Sequence, residues 1–206
     1  MAMNEQEWLT GVDPDPMLDF IKGKVSDRKL RLFAVASCRR IWHLLPVGWS
    51  RQGVEMAERY ADGLADDEQL KEAHKKAGWA SAWAGSAEEA AAWVAASTTE
   101  PAWVKRTVAH AGWAEAKKTK QHQCDLLRDI VGNLYRLVGF DTSWVTPAVT
   151  GLVRKVYEER AFEQLSRLAD VFEEAGCDDA DVVAHCRNSV DHAKGCWVVD
   201  LVLGQS

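Results

Sequence analysis

Glycine-rich loops, long apolar runs and a basic charge balance are all missing from this sequence of 206 residues. Its glycines stand singly, so it contains no phosphate-binding loop, no dinucleotide-binding fingerprint and no nucleophile elbow. No run of about 18 apolar residues occurs, so we expect no transmembrane helix. The five prolines are too few for a disordered or linker-rich chain. Because no enzyme motif is recognisable, the sequence favours a non-enzymatic protein, but it leaves the question open.

The charge of the chain is negative and unevenly distributed. A net charge of −6 argues against a general nucleic-acid binder, which needs a basic surface. Residues 22–40 are mainly basic, whereas residues 158–191 are mainly acidic. One interpretation is a bipolar surface that steers a partner or pairs with a second copy. The other, which is the commoner use of such segments, is solvated helix faces with internal ion pairs.

The cysteines and the start of the chain indicate a reducing location. Five cysteines are present, an odd number in a chain that is not short. The first residues, MAMNEQEWLT, show neither the basic nor the apolar region of a signal peptide. We therefore expect reduced thiols and a cytoplasmic protein.

An alanine- and tryptophan-rich tract occupies the middle of the chain. Residues 73–116 contain 16 alanines, the best helix former, and five tryptophans. Pro101 interrupts this pattern, so we predict two helices, at 67–97 and 101–131, folded into a hairpin. The tryptophan rings are predicted to be buried between the helices. Four of them recur every ten residues, which places successive rings about 80° apart on a broad face.

Helix signals on both sides of this tract predict an all-α fold. Start signals stand at Asp15-Pro16, Ser26-Asp27, Ser50, Thr146-Pro147 and Asp178-Asp179, and stop signals stand at Gly23, Pro46, Gly63, Gly132-Asn133 and Gly176. The apolar run at 196–203 is too short for periodicity to decide, and helix is preferred to strand. We expect one domain over 1–206 with about eight helices: N-terminal helices in 1–65, the hairpin in 66–131 and C-terminal helices in 147–206.

A cluster of histidine and cysteine near the C-terminus is the candidate metal site. His185, Cys186, His192 and Cys196 lie within twelve residues, and all four are residue types that bind zinc. Their spacing matches no standard zinc motif, and adjacent residues point in different directions on a helix. Cys38, Cys124 or Cys177 could then replace one of the four as a ligand. The alternative is that the cysteines are small buried apolar residues and the histidines are polar residues at helix ends.

Cys38 is the candidate for a catalytic thiol. The adjacent arginines would lower its pKa, and His43 lies five residues along the chain. However, Cys38 falls on the apolar face of its predicted helix beside Phe33 and Ile41. A buried thiol is unreactive, so we expect a structural role.

The flanking segments carry a resemblance to a known family. They are EWLTGVDPDPMLDFIKGKVSDRKLRLFAVASCRRIWHLL at 7–45, AERYADGL at 57–64, CDLLRDIVGN at 124–133, EEAGCDDADVVAHC at 173–186 and GCWVVDLVLG at 195–204. Together they resemble an expanded family of short proteins from planctomycete bacteria, with an Ala/Trp-rich middle of variable length. The resemblance implies a helical, bacterial, cytoplasmic protein and carries no activity, cofactor or catalytic residue. Residues 132–140 depart from the family pattern, which has a proline-containing turn there.

Two functions follow as expectations. Abundant packing signals without a catalytic motif favour a helical binding or scaffolding module, which binds an unknown protein partner or self-associates, without nucleic acid, membrane or cofactor. The alternative is a zinc-binding protein that uses the C-terminal histidines and cysteines.

Overall fold

The structure is a computed structural model that describes residues 3–45, 48–83, 118–136, 139–188 and 191–205. Within these ranges it contains α-helices, two short 3-10 helices and no β-strand, which confirms the all-α prediction. The α-helices are α1 (Glu5–Thr10), α2 (Pro14–Ile21), α3 (Asp27–Arg40), α4 (Trp49–Ala61), α5 (Asp67–Trp83), α6 (Lys118–Val131), α7 (Pro147–Glu159), α8 (Leu165–Glu174), α9 (Ala180–Arg187) and α10 (Trp197–Leu203). The 3-10 helices are Thr142–Trp144 and Phe162–Gln164.

The chain divides into two compact units. Unit 1 is Met1–Leu127 and unit 2 is Arg128–Ser206. The boundary falls inside α6, a position that carries no proline, glycine or change of composition to mark it.

In unit 1, α4 packs against both α3 and α5. The buried side chains between them are aliphatic or small, and they are Val35, Cys38, Ile41, Leu45, Val54, Ala57 and Leu70. Two arginines of α3 pair with acids at the end of α4. Arg39 contacts Glu58 at 3.1 Å and Arg28 contacts Asp62 at 4.0 Å, so part of the basic 22–40 segment is used for internal ion pairs.

In unit 2, α8 packs against α7 and α9, and α10 packs against α7. The core includes Val149, Val153 and Val156 on one face of α7, at the helical spacing predicted from the sequence. Leu168 and Phe172 of α8 face the same core and are fully buried. The acidic 158–191 segment also pairs internally, because Arg187 contacts both Asp170 and Glu173.

Several predicted helix boundaries are confirmed by their capping groups. Ser26 accepts a hydrogen bond from the backbone N–H of Lys29 at the start of α3, and Thr146 caps α7 in the same way with Pro147 as its first residue. Asp179 caps α9 with two such bonds. The C-terminal run forms a helix, as preferred.

Other boundaries are shifted. The sequence repeats Asp-Pro, and α2 uses the first pair, with Asp13 as the cap and Pro14 at the first position. α3 ends at Arg40 instead of continuing to Pro46, because the chain then forms successive tight turns. α4 begins at Trp49 after Gly48, whose φ of 100° favours glycine, and Ser50 lies buried inside the first turn.

The prediction for the tryptophan tract is wrong at Trp79. Helix α5 begins at Asp67 as predicted, but it buries Leu70 and Ala77, and Trp79 points away from that face with 60% of its surface exposed. Trp93, Trp103, Trp113 and the predicted turn at Pro101 lie outside the described residues.

Candidate metal centre

Asp129 is a fully buried carboxylate in the last turns of α6. Its helix face also buries Leu126 and Ile130, so the carboxylate faces the interior and needs polar partners. Three N–H groups supply them. The imidazoles of His192 and His185 lie 2.6 and 3.2 Å from Oδ1, and the backbone N–H of Ala193 donates to Oδ2 at 3.0 Å.

His192 lies in the loop between α9 and α10, and both of its ring nitrogens face acceptors. Nδ1 contacts Asp129, while Nε2 lies 3.3 Å from the backbone oxygen of Asn188. Burial lowers the pKa of His192, but the hydrogen bond and the charge of Asp129 outweigh it, so the pKa lies above its ordinary value. His192 and Asp129 therefore form a buried, hydrogen-bonded pair in which each group favours the charged form of the other.

The same partners act on Asp129. Burial raises the pKa of this carboxyl, but the hydrogen bonds from His185 and His192 outweigh that effect, and the pKa lies below its ordinary value. The carboxylate is thus ionised at neutral pH, and one of its oxygens is shared by the two imidazoles.

His185 lies near the end of α9 and connects three other residues. Its Nε2 lies 3.2 Å from Oδ1 of Asp129 and 3.1 Å from Sγ of Cys196. Its Nδ1 accepts a hydrogen bond from the indole N–H of Trp197 at 3.0 Å. The His185 and His192 rings pack edge to face, with centroids 4.9 Å apart.

Cys196 is the residue before α10, and it is completely buried. It follows Gly195, whose φ of 91° permits the sharp turn that leads into α10. Burial raises the pKa of the Cys196 thiol well above its usual range, and the negative charge of Asp129 adds to the effect. Without a cation, the group is therefore a neutral thiol.

One ligand atom from each of Asp129, His185, His192 and Cys196 lies within 4.8 Å of every other, and we name these residues the Asp129 cluster. A carboxylate oxygen, two imidazole nitrogens and a sulfur form a ligand set that zinc binds tetrahedrally. Exposure is low throughout, at 13% for the side chain of His185 and less for the others. A metal there would have four protein ligands, one from each residue.

The structure brings together three of the four residues predicted from the sequence. Cys186 is the exception, because it follows His185 on α9 and points elsewhere in the core, where burial raises the pKa of its thiol to about 12. Asp129 takes its place, and the sequence analysis missed it. The available signal was an acid three residues after Leu126, on the apolar face of a predicted helix.

The alternative ligands and the candidate nucleophile are all outside the cluster. Cys38 and Cys124 are buried in unit 1, and Cys177 is buried in unit 2. Burial also raises the pKa of the Cys38 thiol strongly despite the adjacent charge of Arg39, which agrees with an unreactive structural thiol.

Comparisons with known proteins add no relative: no family model matches the chain, and no curated protein or solved structure is significantly similar to it. The resemblance to planctomycete proteins therefore stays a prediction from the sequence. Among the described helices, none has the length and the apolar composition needed to cross a membrane.

Proposed function

We propose that unit 2 binds a zinc ion through the Asp129 cluster and that the ion has a structural role. The observation that carries the proposal is the convergence of one oxygen, two nitrogens and one sulfur within 4.8 Å in a buried position. Four protein ligands without an open coordination position are typical of structural zinc sites, whereas catalytic sites keep one position for water.

The ligands come from three separate parts of unit 2. Asp129 belongs to α6, His185 to α9, and His192 and Cys196 to the loop that leads into α10. An ion bound to all four would hold these elements together, and its binding free energy would add to the stability of the unit.

Binding requires the cluster to lose protons. His192 must lose its Nδ1 proton and Cys196 its thiol proton, because only a lone pair or a thiolate ligates zinc. When Nδ1 loses its proton, His192 keeps the hydrogen bond from Nε2 to the backbone oxygen of Asn188. A hydrogen bond of this kind, from the nitrogen that does not bind the metal, orients a zinc-bound histidine. Affinity should therefore increase with pH.

The experiment is metal analysis of protein purified without a histidine tag, followed by zinc titration in competition with a chromophoric chelator. We expect one zinc per chain. Cys196→Ser should lower the metal content to background, because a neutral hydroxyl replaces the thiolate. Cys186→Ser is the matched control, since it alters a buried thiol of the same unit outside the ligand set.

Cobalt gives a second measurement of the same ligands. Cobalt-loaded wild type should show a thiolate-to-metal charge-transfer band that Cys196→Ser lacks and Cys186→Ser keeps. Absence of stoichiometric metal, with a melting temperature that chelator leaves unchanged, would contradict the proposal. The cluster would then be a hydrogen-bonded polar link between α6 and the C-terminal loop.

A second candidate function is self-association through α4 and α5 of unit 1, and a groove between these helices favours it. The groove has a volume of about 380 Å³ and is lined by Trp49, Gln52, Glu55, Met56, Arg59, Gln69, Glu72, Ala73 and Lys76. Trp49 is 45% and Trp79 is 60% exposed, and their rings contact edge to face at 6.2 Å. The lining carries both acids and bases, so a twofold axis that places them opposite one another would pair unlike charges of two copies.

Sedimentation velocity at increasing concentration tests the self-association. We expect a monomer–dimer equilibrium that Trp79→Ala shifts to monomer by about tenfold or more in dissociation constant, as for a buried aromatic anchor. Val12→Ala is the control, because Val12 is an equally exposed apolar residue away from the groove. A wild-type monomer at every concentration would exclude this candidate.

A further inference from the structure

The hydrogen bond from Trp197 determines which nitrogen of His185 carries a proton. An indole N–H donates and never accepts, so Nδ1 of His185 must offer its lone pair across the 3.0 Å contact. The imidazole is then neutral, with its proton on Nε2.

That proton lies on the side of the ring that a metal would occupy. Nε2 faces both Oδ1 of Asp129, at 3.2 Å, and Sγ of Cys196, at 3.1 Å. A metal bound to Nε2 requires the lone pair there, and a neutral ring must then carry its proton on Nδ1. Two N–H donors would face each other across the contact between His185 and Trp197.

His192 has the opposite arrangement, so the two histidines of the cluster can be compared directly. Its ligating nitrogen would be Nδ1, and its outer Nε2–H already faces the carbonyl of Asn188. A zinc-bound histidine normally donates its other N–H to such an acceptor. Only His185 has a donor in that position.

We propose that Trp197 controls metal binding at the Asp129 cluster: its indole N–H opposes ligation by His185, and it must leave Nδ1 when a divalent metal binds. This inference rests on the proposed function. As the metal replaces the proton on Nε2, the ring takes up a proton on Nδ1, so His185 releases no net proton.

Displacement of the Trp197 indole on metal binding would also move its contacts with neighbouring helices. Trp197 is the first residue of α10, next to the ligand Cys196. Its ring also lies against the chain at the end of α6, where a Cβ added to Gly132 would be 3.1 Å from Trp197 Cγ. Metal binding is thereby coupled to the start of α10 and the end of α6.

The test is zinc affinity of untagged Trp197→Phe by chelator competition. Phenylalanine keeps an aromatic ring but has no donor, so we expect zinc to bind roughly three- to tenfold more tightly than to wild type, the factor for releasing about one hydrogen bond. Trp144→Phe is the control, because Trp144 is a buried tryptophan of the same unit that packs against Phe140. Its zinc affinity should equal that of wild type.

Nuclear magnetic resonance of wild type gives a second answer, which does not depend on the zinc affinity of the variant. The indole N–H signal that disappears in Trp197→Phe belongs to Trp197, and it should shift when zinc is added. Nitrogen shifts of His185 should show the proton on Nε2 before zinc and on Nδ1 after it.

The outcomes distinguish the proposed zinc site from the proposed role of Trp197. Weaker or unchanged zinc binding by Trp197→Phe, with metal bound by wild type, would overturn the role of Trp197 and leave the metal site intact. Zinc binding by Trp197→Phe without binding by wild type would support the opposition by the indole N–H and would contradict the proposed function of the unaltered protein. If neither protein binds zinc, both proposals fail.

Discussion

At the scale of single residues, Asp129 and His192 are the most consequential pair, because each is buried and each depends on the other for its charge. Removing one member of a buried ion pair leaves an uncompensated charge in the interior, which costs about 3–5 kcal/mol. The contribution of the pair to stability has a pH window set by the directions of the two pKa shifts.

The pH range over which the pair contributes fully to stability follows from the folded-state pKa of each group. The folded-state pKa of His192 lies above its ordinary value of 6.5, so its contribution is complete below 6.5 and is lost as pH rises through the folded value. The folded-state pKa of Asp129 lies below 3.8, so its contribution is complete above 3.8 and is lost as pH falls through the folded value. Both contributions are complete between 3.8 and 6.5.

We predict that His192→Gln lowers the free energy of unfolding of the metal-free protein by about 3–5 kcal/mol near pH 5.5, and by less as pH becomes alkaline. Urea denaturation across the pH range, with chelator present, measures the difference between wild type and variant. A difference that is constant from pH 5 to pH 9 would show that the pair is not ionised as described.

The same residues show the limit of prediction at this scale. His185, His192 and Cys196 were recognisable because their types and their proximity in sequence point to one chemistry. Asp129 lies 63 residues before His192, and only the tertiary fold brings the two together. Trp197 likewise acts through one hydrogen bond whose direction no spacing reveals.

At the scale of elements, helix ends were predictable where a side chain caps the backbone and less so elsewhere. Ser26, Thr146 and Asp179 accept hydrogen bonds from backbone N–H groups in the first turn of their helices. These interactions are local, so the residue types in the sequence predict them. The end of α3 and the start of α4 depend on turns and packing, and these two boundaries were misplaced. The burial of Trp79 was also predicted wrongly, because composition alone does not tell which face of a helix is buried.

Gly132 at the end of α6 and Gly151 inside α7 offer a matched pair of glycine substitutions. Gly132 has a φ of 75°, and an added Cβ would meet the Trp197 ring at 3.1 Å. We predict that Gly132→Ala destabilises the protein by about 1–3 kcal/mol, through left-handed backbone strain and the contact with the ring. Gly151→Ala, inside α7 with open space around the new Cβ, should instead stabilise by about 0.5–1 kcal/mol. Chemical denaturation compares them, and equal effects would contradict the geometry.

At the scale of the whole molecule, only one of the two compact units contains the candidate metal ligands of the Asp129 cluster, so a bound metal would stabilise that unit directly. All members of the Asp129 cluster belong to unit 2, whereas the groove between α4 and α5 belongs to unit 1. The fold class was predictable from helix signals throughout the chain. The division within α6 was not, because it reflects which side chains meet in space.

We predict that chelation affects hydrogen exchange locally. Amides of α9 and α10 in the zinc-loaded protein should exchange at least tenfold faster after chelator is added, because opening of this region no longer breaks metal–ligand bonds. Amides of α3 and α4 serve as the internal control and should keep their rates. Uniform acceleration over both units would mean that chelator acts on the protein as a whole.

The separation of 63 residues between Asp129 and His192 also has a consequence for folding. Closing a loop of that length costs the denatured chain about 4 kcal/mol of conformational entropy on the polymer model used for cross-links. His185, His192 and Cys196 are close in sequence and can meet while the chain is still open, whereas Asp129 must arrive with α6. Docking of that single carboxylate is therefore one of the long-range steps in assembling unit 2, and a metal already held by the other three residues would attract it by charge.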